Sequence, residues 1–149
     1  MTDAPTGAAM LEASVSLQAR RNPSVWAVAR ALDAVRRTDA AAERAWQDRL
    51  ESRLQGSRAI VLQLQAEGTL RRTIDPSVAA DLLWTITSLR TWEDLVLDRG
   101  WSREKYQTQI TRLLLDTLSE PRPPRSRRTR VTPAAAPTRD RRESRGVPE

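Results

Sequence analysis

Hydrophobic positions recur at three- and four-residue spacing along this chain up to about residue 118, the period of an α-helix. Residues 8–20 hold Met10, Leu11, Val15 and Leu17 in a short, weakly amphipathic segment. Asn22-Pro23 reads as an N-cap followed by proline at the first helical position. It predicts a new helix carrying Val25, Trp26, Val28, Ala29, Leu32 and Val35. Thr38-Asp39 opens the next helix, with a stripe of Ala42, Trp46, Leu50, Leu54, Val61 and Leu64. Arg44, Asp48, Arg49, Glu51 and Arg58 occupy its other faces, and Gly68 ends it. Gly56, inside it, costs about 1 kcal/mol relative to Ala. Thr69-Leu70-Arg71-Arg72-Thr73-Ile74 alternates poorly and lies between two marked helix ends, so it predicts a loop and not a strand.

Two further helices come next. Asp75 is a favourable N-cap, and Pro76 sits where a missing N–H costs nothing. Gly100 stops that helix after Arg99. Ser102 caps the second, with Glu104 in its first turn. Its apolar face is Tyr106, Ile110, Leu113, Leu114 and Thr117. In the first of the pair the face switches. Ala79, Leu82, Leu83 and Ile86 share one side, while Trp92, Leu95 and Val96 centre on nearly the opposite one. Either the helix kinks near Thr87-Ser88-Leu89 and stays in one core, or it is buried on two sides and meets a second subunit. The two explanations are compatible, and the second is the favoured expectation.

Composition separates this helical part from the C-terminal stretch. Residues 1–120 carry 16 basic and 16 acidic side chains, whereas residues 121–149 carry nine Arg against three acids, the whole net charge of +6. That stretch also holds six of the nine prolines, so it is expected to be a disordered basic tail. The expected organisation is a disordered N-terminus over 1–9, an all-α domain over 10–119 and the tail over 120–149. Cysteine and histidine are both absent, which removes disulfides, thiol nucleophiles, Cys/His metal sites and histidine bases. No run reaches the roughly 18 apolar residues of a membrane span. The N-terminus lacks the pattern of a signal peptide, so a cytoplasmic location without membrane contact is expected.

The ordered run Ala66-Glu67-Gly68-Thr69-Leu70, Asp75-Pro76, Ala79-Ala80-Asp81-Leu82-Leu83-Trp84, Thr87-Ser88, Leu95-Val96, Arg99-Gly100-Trp101-Ser102 and Tyr106 resembles the C-terminal domain of the tetracycline-repressor (TetR/AcrR) family. The resemblance is best over residues 58–118 and extends from about residue 10. It implies an all-helical, homodimeric one-component transcriptional regulator. In that family the last two long helices of each subunit form a four-helix dimer interface. A small molecule held among the central helices spreads two helix-turn-helix heads and releases DNA. Only residues 1–9 precede the match, so the expectation is a sensing and dimerising part without its DNA-binding head. The alternative is a headless interaction module, a dominant-negative partner or scaffold whose Arg-rich tail binds polyanions. Leu89 stands where many relatives have proline, which softens their helix break into a bend.

Within that picture Trp26, Trp46 and Trp84, with Leu50, Leu83 and Thr87, are the candidate walls of a cavity for a small hydrophobic effector. The plainer reading is that the five tryptophans fill the core. Thr85, Thr87, Ser88 and Thr91 either bond back to helix carbonyls or bond a ligand. Trp92, Leu95, Val96, Tyr106, Ile110, Leu113 and Leu114 are the candidate dimer residues. Trp101 is expected to plug the corner between the paired helices. Glu93, Asp94 and Asp98 read as a solvated face. The tail's arginines offer weak, salt-sensitive DNA binding or serve only as a solubilising extension. Nothing resembles a nucleophile–base pair, a phosphate loop or a metal cluster, so no enzymatic activity and no cofactor are expected.

Overall fold

The computed structural model describes residues 5–121, and those residues form five helices. The expected 120–149 tail lies outside the described residues from position 122 on, as do residues 1–4. Helix α1 spans Gly7–Val35, α2 Ala40–Ala66, α3 Pro76–Ile86, α4 Leu89–Trp92 and α5 Arg103–Leu118. Between α4 and α5 the chain continues as a π-helical turn, Glu93–Asp98. Helix α1 packs against α2 and α5, and α3 packs against the same two. The core between them is built from Leu11, Val15, Ile60, Val61, Leu64 and Leu83, with Tyr106, Ile110, Leu114 and Leu118 from α5.

The local signals account for most helix ends. Asp39 Oδ1 accepts from the backbone N–H groups of Ala41 and Ala42 at 2.8 and 3.1 Å. Asp75 does the same for Ser77, ahead of Pro76. Ser102 Oγ accepts from Lys105 N at 3.1 Å. Gly68 and Gly100 each take φ of 67°, the left-handed conformation that closes a helix by a six-residue bond. At Gly68 that bond runs from Thr69 N to the Leu64 carbonyl at 2.9 Å; at Gly100, after the π-turn, it is one residue longer, from Trp101 N to the Leu95 carbonyl at 3.0 Å. The 69–74 loop is then fastened to the end of α5. Arg71 N donates to the Leu118 carbonyl at 2.7 Å, and Glu120 N donates to the Thr69 carbonyl at 2.9 Å.

Three expectations are corrected. First, Pro23 does not open a helix but lies inside α1, which runs unbroken from Gly7 to Val35. The burial of Leu11, Val15, Ala19 and Ala29 along one helix outweighs the cost of the missing N–H. Second, residues 7–9 belong to that helix. Its first N–H, on Gly7, donates to both carboxylate oxygens of Glu67, at 2.9 and 3.2 Å.

Third, the face switch is a break within one core. Helix α3 ends at Ile86, Thr87 carries the chain out of helical geometry, and Ser88 caps α4 through its bond from Thr91 N at 3.1 Å. The π-turn then turns the chain by less per residue than an α-helix does. Trp92, Tyr106, Ile110 and Leu114 are buried inside the chain's own core. Leu95 and Val96 are half-buried against the same core. Of the expected dimer residues only Leu113, 48% exposed, points substantially outward. Among the described residues no helix is long and apolar enough to cross a membrane, and no group of acidic side chains is placed to hold a metal.

Candidate functional site

The α3–α4 break faces the middle of α1 and α2, and the three segments enclose a cleft of about 280 Å³. Gln18, Arg21, Asn22 and Val25 come from α1 at spacings of three and four residues, so they form one helical stripe. Arg49, Ser52 and Arg53 repeat the device on α2. Thr87 and Leu89 close the end at the helix break. Leu17, Val25 and Leu89 supply apolar wall.

The cleft is positively charged. Arg21, Arg49 and Arg53 line it, and no Asp or Glu does. Every ion pair among the described residues involves other arginines, so these three have no carboxylate partner there. Arg53 Nη2 donates to the Trp84 carbonyl at 2.7 Å, and its guanidinium lies 5.3 Å from the centre of the Trp84 ring. Burial pushes the Arg53 pKa down to about 10, with repulsion from Arg49 adding to it. Arg49 is lowered by burial too, and its guanidinium sits 5.6 Å from the Trp46 ring. At neutral pH Arg53 remains charged at such a pKa, so its partial desolvation is a standing cost.

One more polar group on the cleft wall lacks a partner. Asn22 is only 7% exposed, and its Nδ2 makes no hydrogen bond. A buried amide N–H left unpaired costs about 1–3 kcal/mol. By contrast, a second hollow, of about 360 Å³ between α1 and α5, is lined by Glu12, Arg112 and Asp116, charges of both signs. The Arg112–Asp116 pair, 3.6 Å apart, satisfies its own cation.

Of the residues expected to wall an effector cavity, only Thr87 lines this cleft. Its hydroxyl donates to the Leu83 carbonyl at 2.7 Å, which leaves its oxygen free to accept. Leu83 is buried in the core. Trp84 and Leu50 hold each other through Trp84 Nε1 and the Leu50 carbonyl at 3.3 Å. Trp46 has the guanidinium groups of Arg36 and Arg49 at 5.1 and 5.6 Å from its ring centre, and Trp26 packs on the core with its Nε1 unpaired. These side chains fill and brace the helices around the cleft; only Thr87 reaches it. Of the hydroxyls of Thr85, Thr87, Ser88 and Thr91, only that of Thr87 bonds back to the carbonyl four residues earlier; Thr91 Oγ1 donates across the break to the Thr85 carbonyl at 3.1 Å, and Ser88 Oγ caps α4. Trp101 is half-buried at the π-turn corner, under Lys105 Nζ at 4.7 Å from its ring.

The arginines and Asn22 are what the sequence pattern does not single out. On that pattern Arg49 falls on a solvent face and Asn22 at a cap, although 18, 21, 22 and 25 share one face, as do 49, 52 and 53. Each stripe alone looks like an ordinary polar face; only their mutual approach makes a site. No protein-family model matches the chain, and no curated protein or solved structure matches it either.

Proposed function

We propose that this helical domain is the ligand-sensing and dimerising part of a TetR-like one-component regulator, binding a small molecule in the cleft at the α3–α4 break. The observation that carries the reading is the position of that cleft. A ligand there touches α1 and α2 and, through Thr87 and Leu89, the interruption between α3 and α4. A break of this kind is where bound-ligand energy can change the angle between two packed segments. The ordered motif run from Ala66 to Tyr106 supports the same reading.

Dimerisation draws support from large apolar side chains left near half exposed on the paired helices: Val78 on α3, Leu97 on the π-turn and Leu113 on α5. Burying the exposed half of a side chain of this size contributes about 1 kcal/mol. The DNA contact of such a regulator belongs to a helix-turn-helix head, and the cleft would be its control point.

The test has two arms on the purified full chain. Light scattering at tens of micromolar, well above a nanomolar-scale dimer constant, reports the assembly; a monomer there sinks the dimer claim. A panel of small organic compounds is then screened by tryptophan fluorescence and melting temperature, since Trp84 and Trp46 stack on the cleft arginines. If no compound moves either signal, the sensing claim fails.

A further inference from the structure

The cleft's chemistry is more specific than its shape. Its charged lining is Arg21, Arg49 and Arg53 alone, and none of them has a carboxylate partner among the described residues. Arg49 and Arg53 are partly buried and one helical turn apart, so the charge of Arg49 raises the cost of holding Arg53 there. Surface arginines with that freedom ordinarily turn to water. Here Arg53 is held by the Trp84 carbonyl and ring, which fixes its guanidinium at the cleft and leaves other N–H donors unused. Opposite it, the Asn22 Nδ2 donor is nine-tenths buried and unbonded. The cleft's formal charge is therefore wholly positive, and its one buried side-chain atom without a partner is a donor; an acceptor carrying negative charge answers both.

The remaining wall is hydrocarbon, from Leu17, Val25 and Leu89. A volume of about 280 Å³ falls just short of the usual range of small-molecule sites, which runs from about 300 Å³ upward, and so suits a small ligand. We propose that the cleft binds a small amphipathic organic anion, its carboxylate or phosphate group held by the arginines and the Asn22 amide and its short apolar group lying against Leu17, Val25 and Leu89. This rests on the reading of the domain as a small-molecule sensor and names the class of molecule sensed.

Titration calorimetry on the full chain at low salt tests it with four probes: hexanoate, hexyl phosphate, the neutral isostere hexanamide, and inorganic phosphate. At least one of the two amphipathic anions is expected to bind about tenfold or more tightly than hexanamide, the value of a charge-assisted hydrogen bond. Which of the two it is identifies the head group. Added salt weakens that binding. Arg21→Gln and Arg49→Gln each weaken it with helicity and melting temperature kept, and Asn22→Leu weakens it while preserving side-chain volume. Arg53→Gln is left out of the decisive set because Arg53 also braces Trp84.

Hexanamide binding as tightly as both anions, unaffected by Arg49→Gln, overturns the anion assignment and leaves the sensor reading standing. Inorganic phosphate matching hexyl phosphate overturns the amphipathic part. Binding by none of the four probes, with a neutral or cationic compound from the wider panel raising the melting temperature, also overturns the anion assignment alone. Silence from the probes and from the whole panel overturns both.

Discussion

The same substitution at two glycines is expected to act with opposite signs. Replacing Gly with Ala inside a helix normally stabilises by about 0.5–1 kcal/mol, because the unfolded chain loses less freedom. At Gly56, in the middle of α2, an added Cβ meets nothing within 4 Å, so Gly56→Ala should realise that gain. At Gly7, the first residue of α1, the same Cβ falls 2.8 Å from Leu64 Cγ and Cδ2 and 2.9 Å from the Leu64 backbone nitrogen. The side-chain atoms have nowhere to go, since Leu64 is fully buried, and the backbone atom belongs to α2 itself. Relieving such overpacking costs about 1–3 kcal/mol. It also draws Gly7 N away from Glu67, where the charge-assisted bond now measures 2.9 Å. The clash outweighs the propensity gain, and Gly7→Ala should destabilise by about 0.5–2 kcal/mol. Each kcal/mol moves the melting temperature by about 4 °C in a domain of this size. Thermal and urea unfolding followed by circular dichroism read both variants against the parent. Gly7→Ala matching or exceeding the parent would refute the docking of the α1 start onto α2. Gly56→Ala below the parent would refute the open surface at that turn.

Other expectations rest on single groups. Tyr106 is fully buried with no partner for its hydroxyl, whose pKa burial pushes up to about 12; Tyr106→Phe should therefore stabilise by about 1 kcal/mol, and a lower melting temperature would show that the hydroxyl is bonded. Pro23 interrupts the α1 hydrogen-bond ladder, so Pro23→Ala should raise stability by about 1–3 kcal/mol; a drop instead would mean that α1 must bend there to seat against α2. The carboxyl of Asp33 is held low by its bond from Arg36, and that of Asp75 by the Ser77 hydroxyl and backbone N–H. A depressed folded pKa gives stability that is present above the unfolded value of 3.8 and lost as pH falls through the folded one. Melting temperature should thus decline in acid below about pH 4, less steeply in Asp75→Asn, and a flat profile from neutrality to pH 3 would contradict both bonds.

How far the sequence discloses this molecule depends on range. Asp39, Asp75-Pro76, Gly68, Gly100 and Ser102 act within one turn of chain, and each marks the helix end that its residue type predicts. Asn22-Pro23 has the same local look as Asp75-Pro76, but a proline's position inside or at the start of a helix is decided by what packs on its flanks. Leu11, Val15 and Ala19 on one side and Ala29 on the other are buried by the packing of α1 on other helices, which no local pattern displays. The change of buried side between Ala79 and Trp92 is visible in the sequence as a fact. Its cause is not, because a broken helix and a two-faced helix share one hydrophobic pattern until the Thr87-Ser88 geometry is known. The cleft is the least legible part: Arg49 on a helix wheel is a solvated charge, and only the approach of Arg21 and Asn22 from α1 makes it something else.

The fastening of the 69–74 loop to the end of α5 has a consequence for how the domain can be cut and rejoined. Gly7 is tied to Glu67 at the end of α2, and Glu120 is tied to Thr69 two residues further on. The two ends of the described chain thus emerge at one pole of the bundle, anchored to the same short stretch. A short bridge between them would close the chain into a ring, and new ends opened between α1 and α2, where Arg37, Thr38 and Asp39 are exposed, would leave every core contact in place. By the same geometry, anything attached at either end of this domain is attached at one spot, and a force applied across the ends loads the Gly7–Glu67 and Glu120–Thr69 bonds first.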